Sequence, residues 1–512
     1  MSAAAPARAG RREWIGLAVI ALPCLLYSMD LTVLNLAVPH ITADLRPTSA
    51  QLLWIVDIYG FVLAGLLIPM GTLGDRIGRR RLLLIGAAAF GAASVLAAFS
   101  RSAPMLIAAR AVLGVAGATL APSTLSLIRN MFADPQQRTA AIGVWITSYS
   151  IGGAVGPLLG GILLERFWWG SVFLIGVPVM MLLLAAGPAL LPEFRDPDPG
   201  RLDLPSAALS LAAVLLVVYG VKQVAQGEHG WSPVLSMASG LAVGVVFIHR
   251  QRTLSDPLVD LRLFRARAFS AALATYTIGT FVGFGTLLFV AQYLQLVRGM
   301  SPLHAGLWML PLFAAFIAGS TLAPMIARRV RPGTVLGAGL GVAAIGFVLL
   351  ARAGVTSGLV ALVAGCVVYS LGLAPVFTLT TDMVVGAAPP ERAGVASALS
   401  ETGSELGGAL GIAVLGSVGT AVYRGAMAHA IPSGVPLAAG DVARGTLGGA
   451  VAIAEQLPHG VGTELVGVAR EAFSRALSLT ALISAVVVGA TAVAVIGMLR
   501  TVPLHDVLAR NK

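Results

Sequence analysis

Four carboxylic acids lie inside long apolar segments of this chain. Glu401 and Glu405 are one helical turn apart in the segment 395–418. Asp30 and Asp57 lie inside the first and second apolar segments. A carboxylate in hydrocarbon is costly, and such residues usually mark a path for ions, protons or substrates. The pattern indicates a membrane protein that handles protons or cations.

Each of these acids also has a structural interpretation. Asp30 could bond to Thr32 or to the backbone, and Asp57 could lie near the outer lipid headgroups. One of Glu401 and Glu405 could be structural. At about 1.5 Å per helical residue, Asp30 and Asp57 fall in the outer half of a bilayer and the glutamates near its middle. A carboxyl group removed from water holds a proton more readily. We therefore expect the four acids to line one cavity and to exchange protons there.

The composition requires a membrane environment. Of the 512 residues, 57% are hydrophobic and 11% are charged, and the mean hydropathy is +0.88, far from the values of soluble domains. A spanning helix needs roughly 20 apolar residues. We predict fourteen such spans and hence an all-α polytopic membrane protein. The spans are at about 14–39, 51–74, 81–100, 103–131, 138–162, 168–191, 204–225, 233–250, 268–294, 304–328, 332–352, 356–384, 392–418 and 474–500.

The net charge of +11 does not indicate a nucleic-acid partner. The arginines lie in short loops between spans, and positive residues favour the cytoplasmic side of a membrane. This rule places Arg79, Arg80, Arg81 and the arginines of 250–267 inside the cell, together with both termini. The outer loops keep scattered charges, among which we count Lys222. We expect a multi-pass protein of the bacterial cytoplasmic membrane.

The chain divides into two halves with a pair of spans between them. We assign residues 1–191 to an N-terminal six-helix bundle and 192–267 to linker loops and an inserted hairpin of spans seven and eight. Residues 268–512 form a C-terminal six-helix bundle with a long outer loop at about 421–473. In that loop the amphipathic segment TELVGVAREAFSRAL could lie on the membrane surface or cap the outer mouth.

Similar glycine-rich segments near the fifth and thirteenth spans indicate a parallel repeat of the two halves. Their alignment places Arg138 on Arg392 and Gly153 on Gly407. The alternative is that two Gly/Ala-rich helices look alike. In this register neither glutamate of the thirteenth span has an acidic counterpart in the first half.

The loop between the second and third spans reads GTLGDRIGRRRLLLIG. Its glycines let helix ends approach closely, and its charges can cap helices and anchor the loop. The ordered spacing disfavours an ordinary basic loop, and it resembles the signature loop of the major facilitator superfamily. The resemblance implies that Asp75, Arg76 and Arg79 belong to a charge relay that latches the halves in one alternating-access state. The motif residues are Gly71, Gly74, Asp75, Arg76, Gly78, Arg79 and Arg80.

Further segments are similar to those of the same superfamily. RAVLGVAGATLAP resembles its fourth-helix motif, which implies that Arg110 is linked to proton coupling. MDLTVLNLAVPHI resembles the first helix of the fourteen-helix drug:proton antiporters, the branch with QacA-, SmvA- and LfrA-type pumps. This resemblance implies the major facilitator fold, with two six-helix bundles and an inserted two-helix hairpin. GGAVGPLLGG resembles the fifth-helix antiporter motif, with Gly152, Gly153, Gly156, Pro157, Gly160 and Gly161.

The resemblance implies proton-coupled multidrug efflux of lipophilic cations such as quaternary ammonium compounds and dyes, and hence antibiotic resistance. Pumps that favour divalent cations carry an extra acid in the tenth helix, and 303–326 contains none, so we expect mainly monovalent substrates. The expected partners are these cations, protons and lipid, the expected state is a monomer, and the proton gradient replaces any cofactor or metal. Candidates for an aromatic cavity with cation–π attraction are Trp54, Tyr59, Tyr149, Phe284, Tyr293, Trp308 and Phe377.

Two other functions compete with this interpretation. One is the dedicated export of a single antibiotic or other natural product, for self-resistance. The other is a membrane enzyme, such as a lipid-modifying transferase. An enzyme would need catalytic His, Asp or Cys groups near a membrane face, and the sequence has no such constellation. We therefore expect no enzymatic activity.

Overall fold

The computed structural model describes residues 8–195, 203–226, 228, 230–254, 257–355, 358–387 and 393–499. Within these residues the chain forms helices and no strand. Fourteen of the described helices are long and apolar enough to cross a membrane, which is the number predicted. Arg392 of the proposed repeat lies outside the described residues.

The helices follow the expected order of six spans, a pair and six spans. The first half comprises α1 (Arg11–Leu45), α2 (Ser49–Ile77), α3 (Arg79–Ala98), α4 (Ala103–Met131), α5 (Pro135–Arg166), α6 (Ser171–Leu174) and α7 (Gly176–Leu190), with α6 and α7 forming one span. The pair is α8 (Leu204–Ala225) and α9 (Trp231–Thr253). The second half comprises α10 (Arg267–Gln292), α11 (Pro302–Ala327), α12 (Pro332–Leu350), α13 (Gly358–Ala387), α14 (Ala393–Ala428), α15 (Leu437–Gly445), α16 (Leu447–Ala454) and α17 (His459–Leu499).

The two halves pack against each other through α2 with α14 and α5 with α11. We call the face at which α1 begins the N-terminal face, and the other the opposite face. At the opposite face the Gln295 side chain donates a hydrogen bond to the Leu36 carbonyl over 3.0 Å. The Ser49 hydroxyl donates to the Gly445 carbonyl over 2.6 Å. These bonds join the halves at the opposite face.

The inserted hairpin of α8 and α9 packs against α2 and α14 through α8. At its root, Asp203 caps α8 by accepting a hydrogen bond from the Ser206 backbone over 3.1 Å. The Arg250 guanidinium lies 2.9 Å from the same carboxylate. Burial raises the pKa of Asp203, but the bonds from Ser206 and Arg250 outweigh burial and lower it. The hairpin is thus fixed at the N-terminal face by an ionised cap.

The outer stretch predicted as a loop at about 421–473 is shorter in the structure. α14 continues to Ala428 and α17 begins at His459, so residues 429–458, with α15 and α16, connect them. The amphipathic segment TELVGVAREAFSRAL lies inside α17, a helix of 41 residues, and is not a separate surface helix. Tertiary contacts hold the segment in this helix. One face of it is buried, and Arg470 donates a hydrogen bond to the Leu296 carbonyl over 2.9 Å.

Candidate functional site

Arg110 is a fully buried cation of the first half. Its side chain is 1% exposed, and one nitrogen lies 2.5 Å from the half-buried Asp30 carboxylate. A second nitrogen donates to the Ile55 carbonyl over 3.2 Å. The guanidinium also lies 4.8 Å from the centroid of the Tyr59 ring. One arginine of α4 therefore holds α1 and α2 together, as its planar fork of donors allows.

Glu405 of the second half bonds directly to the first half. The Tyr27 hydroxyl of α1 donates to a Glu405 carboxylate oxygen of α14 over 2.5 Å. Tyr27 precedes Asp30 by one helical turn, and its ring centroid lies 6.3 Å from that of Tyr59 and 5.5 Å from that of Tyr149. Two predicted acids, Asp30 and Glu405, thus share one cluster of tyrosines across the interface between the halves.

Glu401 lies one turn before Glu405 on α14 and is half-buried. It is near enough to Tyr27, Tyr149 and Tyr276 to interact with them electrostatically. The i and i+4 spacing therefore directs both glutamates toward the same tyrosine cluster, as predicted from helix geometry.

Asp57 does not share that cluster. Its side chain is fully buried on α2 and lies 2.8 Å from the Lys222 ammonium of α8. The ammonium also lies 3.5 Å from the centroid of the Trp54 ring. The assignment of Lys222 to an outer loop was wrong, because an ion pair allows a lysine to be buried inside a helical bundle. The expected single cavity lined by four acids is therefore divided, with Asp57 directed toward α8.

The predicted aromatic residues are distributed over several places. Tyr59 and Tyr149 belong to the tyrosine cluster, and Trp54 contacts Lys222. In the second half Phe377 lies 5.4 Å from Tyr276, ring centroid to ring centroid. Phe284 packs beside Gly408, and the buried Tyr293 donates to the Gly354 carbonyl. The Trp308 side chain is exposed at the molecular surface.

Asp75, Arg79 and Arg80 of the signature loop contact residues of the first half and of the start of the linker. Asp75 and Arg79 form an ion pair of 2.6 Å, beside Gly71 and Gly74 of the same helix end. Gly78, between α2 and α3, has a φ of 109°, a conformation that favours glycine. Arg80 donates to the Pro188 and Leu191 carbonyls and lies 3.5 Å from Glu193. Arg76 also has an interaction partner.

The glycines of the fifth-helix motif form two stripes on α5. A Cβ at Gly152 or Gly156 would collide with α1, and one at Gly160 would lie 2.8 Å from the Val33 side chain. On the other stripe, with Gly153 and Pro157, a Cβ at Gly161 would lie 2.7 Å from the Leu303 Cα of α11. The motif therefore permits close packing both within the first half and between the halves.

Sequence reasoning missed two residues that complete the site, Tyr27 and Lys222. Tyr27 had a usable signal, because it lies one turn from Asp30 on the same helix. Lys222 lay within the predicted span 204–225, where a charge needs a buried partner. Within the described residues, no group of three or more His, Cys, Asp or Glu side chains could hold a metal ion.

Comparison with known proteins agrees with this architecture. A family model for the Major Facilitator Superfamily matches residues 20–412. The chain is 44% identical over 494 residues to the multidrug efflux pump LfrA of Mycolicibacterium smegmatis, covering 96% of this chain and 97% of LfrA. It is 36% identical over 473 residues to the methyl viologen resistance protein SmvA of Salmonella typhimurium, covering 90% and 93% of the two chains.

Among solved structures, a bacterial homolog of the human lysosomal transporter Spinster has the same fold. That inward-facing, unoccupied structure superposes with a TM-score of 0.69 at 18% identity, over 96% of this chain and 98% of the other. Fold, helix number and sequence relatives all lead to one family. The chain is a membrane transporter and not an enzyme, and it belongs to the Major Facilitator Superfamily, in the group that includes the multidrug efflux pump LfrA.

Proposed function

We propose that this protein is a proton-coupled multidrug exporter of lipophilic, mainly monovalent cations in the bacterial cytoplasmic membrane. The observation that carries the proposal is the Tyr27–Glu405 bond between the halves, one turn from the Asp30–Arg110 pair. An acid that gains or loses charge at this point changes a bond between the two moving parts. The names of LfrA, a multidrug efflux pump, and SmvA, a methyl viologen resistance protein, support drug export.

The proton and the drug compete for the same carboxylates. A hydrogen bond to a charged group is worth about 1.5–3 kcal/mol, against about 0.5–1.5 kcal/mol for a neutral pair. Protonation of Glu405 therefore weakens its bond to Tyr27 and removes the charge that attracts a cation. Deprotonation toward the cytoplasm restores both, so that proton influx drives efflux.

The exchanged proton is best assigned to Glu405. A neighbouring cation favours the ionised form of a carboxyl group, and Asp30 and Asp57 each have one, Arg110 and Lys222. Glu405 instead accepts a hydrogen bond from the neutral Tyr27 hydroxyl. Protonation is therefore less opposed at Glu405 than at Asp30 or Asp57.

A separate apolar groove, to which no residue of the tyrosine cluster contributes lining, suits the hydrocarbon part of a lipophilic cation. The groove lies between α1 and α5, has a volume of about 480 Å³, and is lined by residues that include Leu22, Leu25, Val144 and Ile151. Hydrophobic walls with a few convergent polar groups are typical of small-molecule sites. The absence of an acid in the sequence of α11 favours monovalent over divalent cations.

We assign the N-terminal face to the cytoplasm and this structure to the inward-facing state. The basic loop after α2 and the arginines of 250–267 support that orientation by the positive-inside rule. Bonds such as Gln295 to Leu36 join the halves at the opposite face. The Asp75–Arg79 pair is formed within the first half, and we expect this loop to contact the second half in the outward-facing state.

The test is ethidium uptake into energised inverted vesicles. We expect uptake that stops when nigericin dissipates the pH gradient, and that falls at least tenfold for Glu405→Gln and Asp30→Asn. Glu464→Gln, an exposed acid of α17, serves as the matched control. Uptake that persists without a pH gradient would contradict proton coupling. Transport of one natural product and of no dye in a panel would indicate a dedicated exporter instead.

A further inference from the structure

Lys222 is held inside the protein in the way that a cationic ligand would be. Its ammonium lies 2.9 Å and 2.8 Å from the two carboxylate oxygens of Asp57 and 3.5 Å from the centroid of the Trp54 ring. The Lys222 and Asp57 side chains are 1% and 0% exposed. A carboxylate beside an aromatic face is a combination that binds organic ammonium ions. Asp57 and Trp54 therefore form a cation site whose occupant belongs to the chain.

The use of lysine at this position is informative. Lys222 and Lys512 are the only lysines among the 34 basic residues of the sequence. The other buried cation of the site is Arg110, whose rigid fork bonds to Asp30 and to the α2 backbone. A lysine is instead a compact charge on a flexible stem and makes no fixed fork of bonds. Lys222 lies three residues before the end of α8, so that its ammonium can extend to water at the opposite face.

The site lies at the seam between the moving halves. Val218 of α8 packs in one buried cluster with Phe61 of α2 and with Ala409 and Ala413 of α14. Ala409 follows Glu405 by one turn on α14. A change of occupant at Asp57 therefore acts on the same α2–α14 contact that carries Glu405.

We propose that Asp57 and Trp54 form an exchange site for a monovalent organic cation, which Lys222 fills when no such cation is bound. The proposal rests on the proposed function, because it names a place where an exported cation is held near the opposite face. The charge stays balanced, since the arriving cation replaces the ammonium at Asp57. Lys222 keeps its proton and moves to the water at the opposite face.

The first test measures the acetylation of Lys222 in the purified full-length protein by acetic anhydride and mass spectrometry. Lys512, which lies outside the described residues, reports the reactivity of the reagent in the same sample. We expect Lys222 to be protected without ligand and its acetylation rate to rise at least tenfold with saturating tetraphenylphosphonium. The neutral analogue triphenylphosphine oxide should leave it protected, and Asp57→Asn should make it reactive with or without ligand. Protection of Lys222 while tetraphenylphosphonium is bound would overturn the proposal.

A second measurement separates displacement of Lys222 from a general opening of the protein. If the Lys222 ammonium fills the site nine-tenths of the time, only about a tenth of the protein is free to bind an organic cation. Removing the ammonium then tightens the apparent affinity for that cation about tenfold. Lys222→Met should therefore bind tetraphenylphosphonium about tenfold more tightly than wild type, and Asp57→Asn/Lys222→Met should lose that gain. Equal or weaker binding by Lys222→Met refutes the exchange site. Proton-driven ethidium transport by the wild type, measured separately, would then still support the proposed function.

Discussion

Removing the Tyr27 hydroxyl is the most direct test of how an acid can control the relative position of the halves. Tyr27→Phe keeps the ring contacts with Tyr59 and Tyr149 and removes only the 2.5 Å bond to Glu405. A hydrogen bond to a charged group contributes about 1.5–3 kcal/mol. If the bond exists only in the inward-facing state, its loss shifts the conformational equilibrium by roughly tenfold to 150-fold toward the outward-facing state.

The shift is measurable as a distance distribution by double electron–electron resonance. Arg101 and Arg352 are exposed at the opposite face in different halves, and the native Cys24 and Cys366 are buried, so cysteines at positions 101 and 352 can carry the labels. Tyr27→Phe should enrich the longer distances. Tyr423→Phe, which loses a buried bond to the Ala443 carbonyl at the same face, is the matched control for a lost tyrosine hydroxyl. An unchanged distribution in Tyr27→Phe, with an unchanged pH profile of ethidium transport, would refute the reasoning.

Three further predictions follow from the packing and the charges. Arg110→Lys should reduce ethidium transport at least tenfold, because one ammonium cannot reach both Asp30 and the Ile55 carbonyl; near-normal transport would contradict that role. Gly306→Ala should lower the stability to thermal unfolding by about 1–3 kcal/mol, since its Cβ would lie 2.6 Å from the Pro157 carbonyl oxygen. Gly341→Ala, where a Cβ meets open space, should be neutral or stabilising, and equal losses in both would refute the close α5–α11 contact. Asp203→Asn should lower the melting temperature at pH 7. The pKa of Asp203 in the folded protein lies below its usual value of 3.8, so the ionised carboxylate stabilises the fold at pH values above 3.8. That difference should disappear as the pH falls through and below 3.8, and a difference independent of pH would contradict the ionised cap.

The fold could be predicted almost completely from the sequence, because the bilayer imposes a simple rule. Each span must be a long apolar helix, since hydrocarbon leaves backbone groups no other partner. That rule fails at helix ends outside the hydrocarbon. The segment TELVGVAREAFSRAL is polar enough to suggest a loop, but contacts such as Arg470 to the Leu296 carbonyl extend α17 beyond the bilayer thickness.

The sequence predicted which acids belong to the candidate site, but not which side chains pair with them. The acids were visible because a charge in an apolar span is conspicuous, and the spacing of Glu401 and Glu405 gave their common direction. The partner of each acid comes from another helix. The angular position of a side chain around its helix axis decides which neighbouring helix it faces. Residues 57 and 59 of α2 differ by half a turn, so that Asp57 meets Lys222 of α8 whereas Tyr59 meets Arg110 of α4. No single-helix pattern contains that information.

The three paired acids differ in what must happen before each can respond to a proton or a drug. Asp30 faces a guanidinium that stays charged at every accessible pH, and its bonds fix α1 to α4 within one half. Asp57 faces an ammonium that can move away on its own stem. Glu405 faces a hydroxyl of the other half, so a change in its charge acts directly on the contact between the halves. On the proposed function and the proposed exchange site, a cation that meets Glu405 and Asp57 in turn passes from the acid that exchanges protons to the acid that holds a replacement cation. On that proposal, the order lets the transporter release its substrate at the opposite face without leaving a buried carboxylate uncompensated.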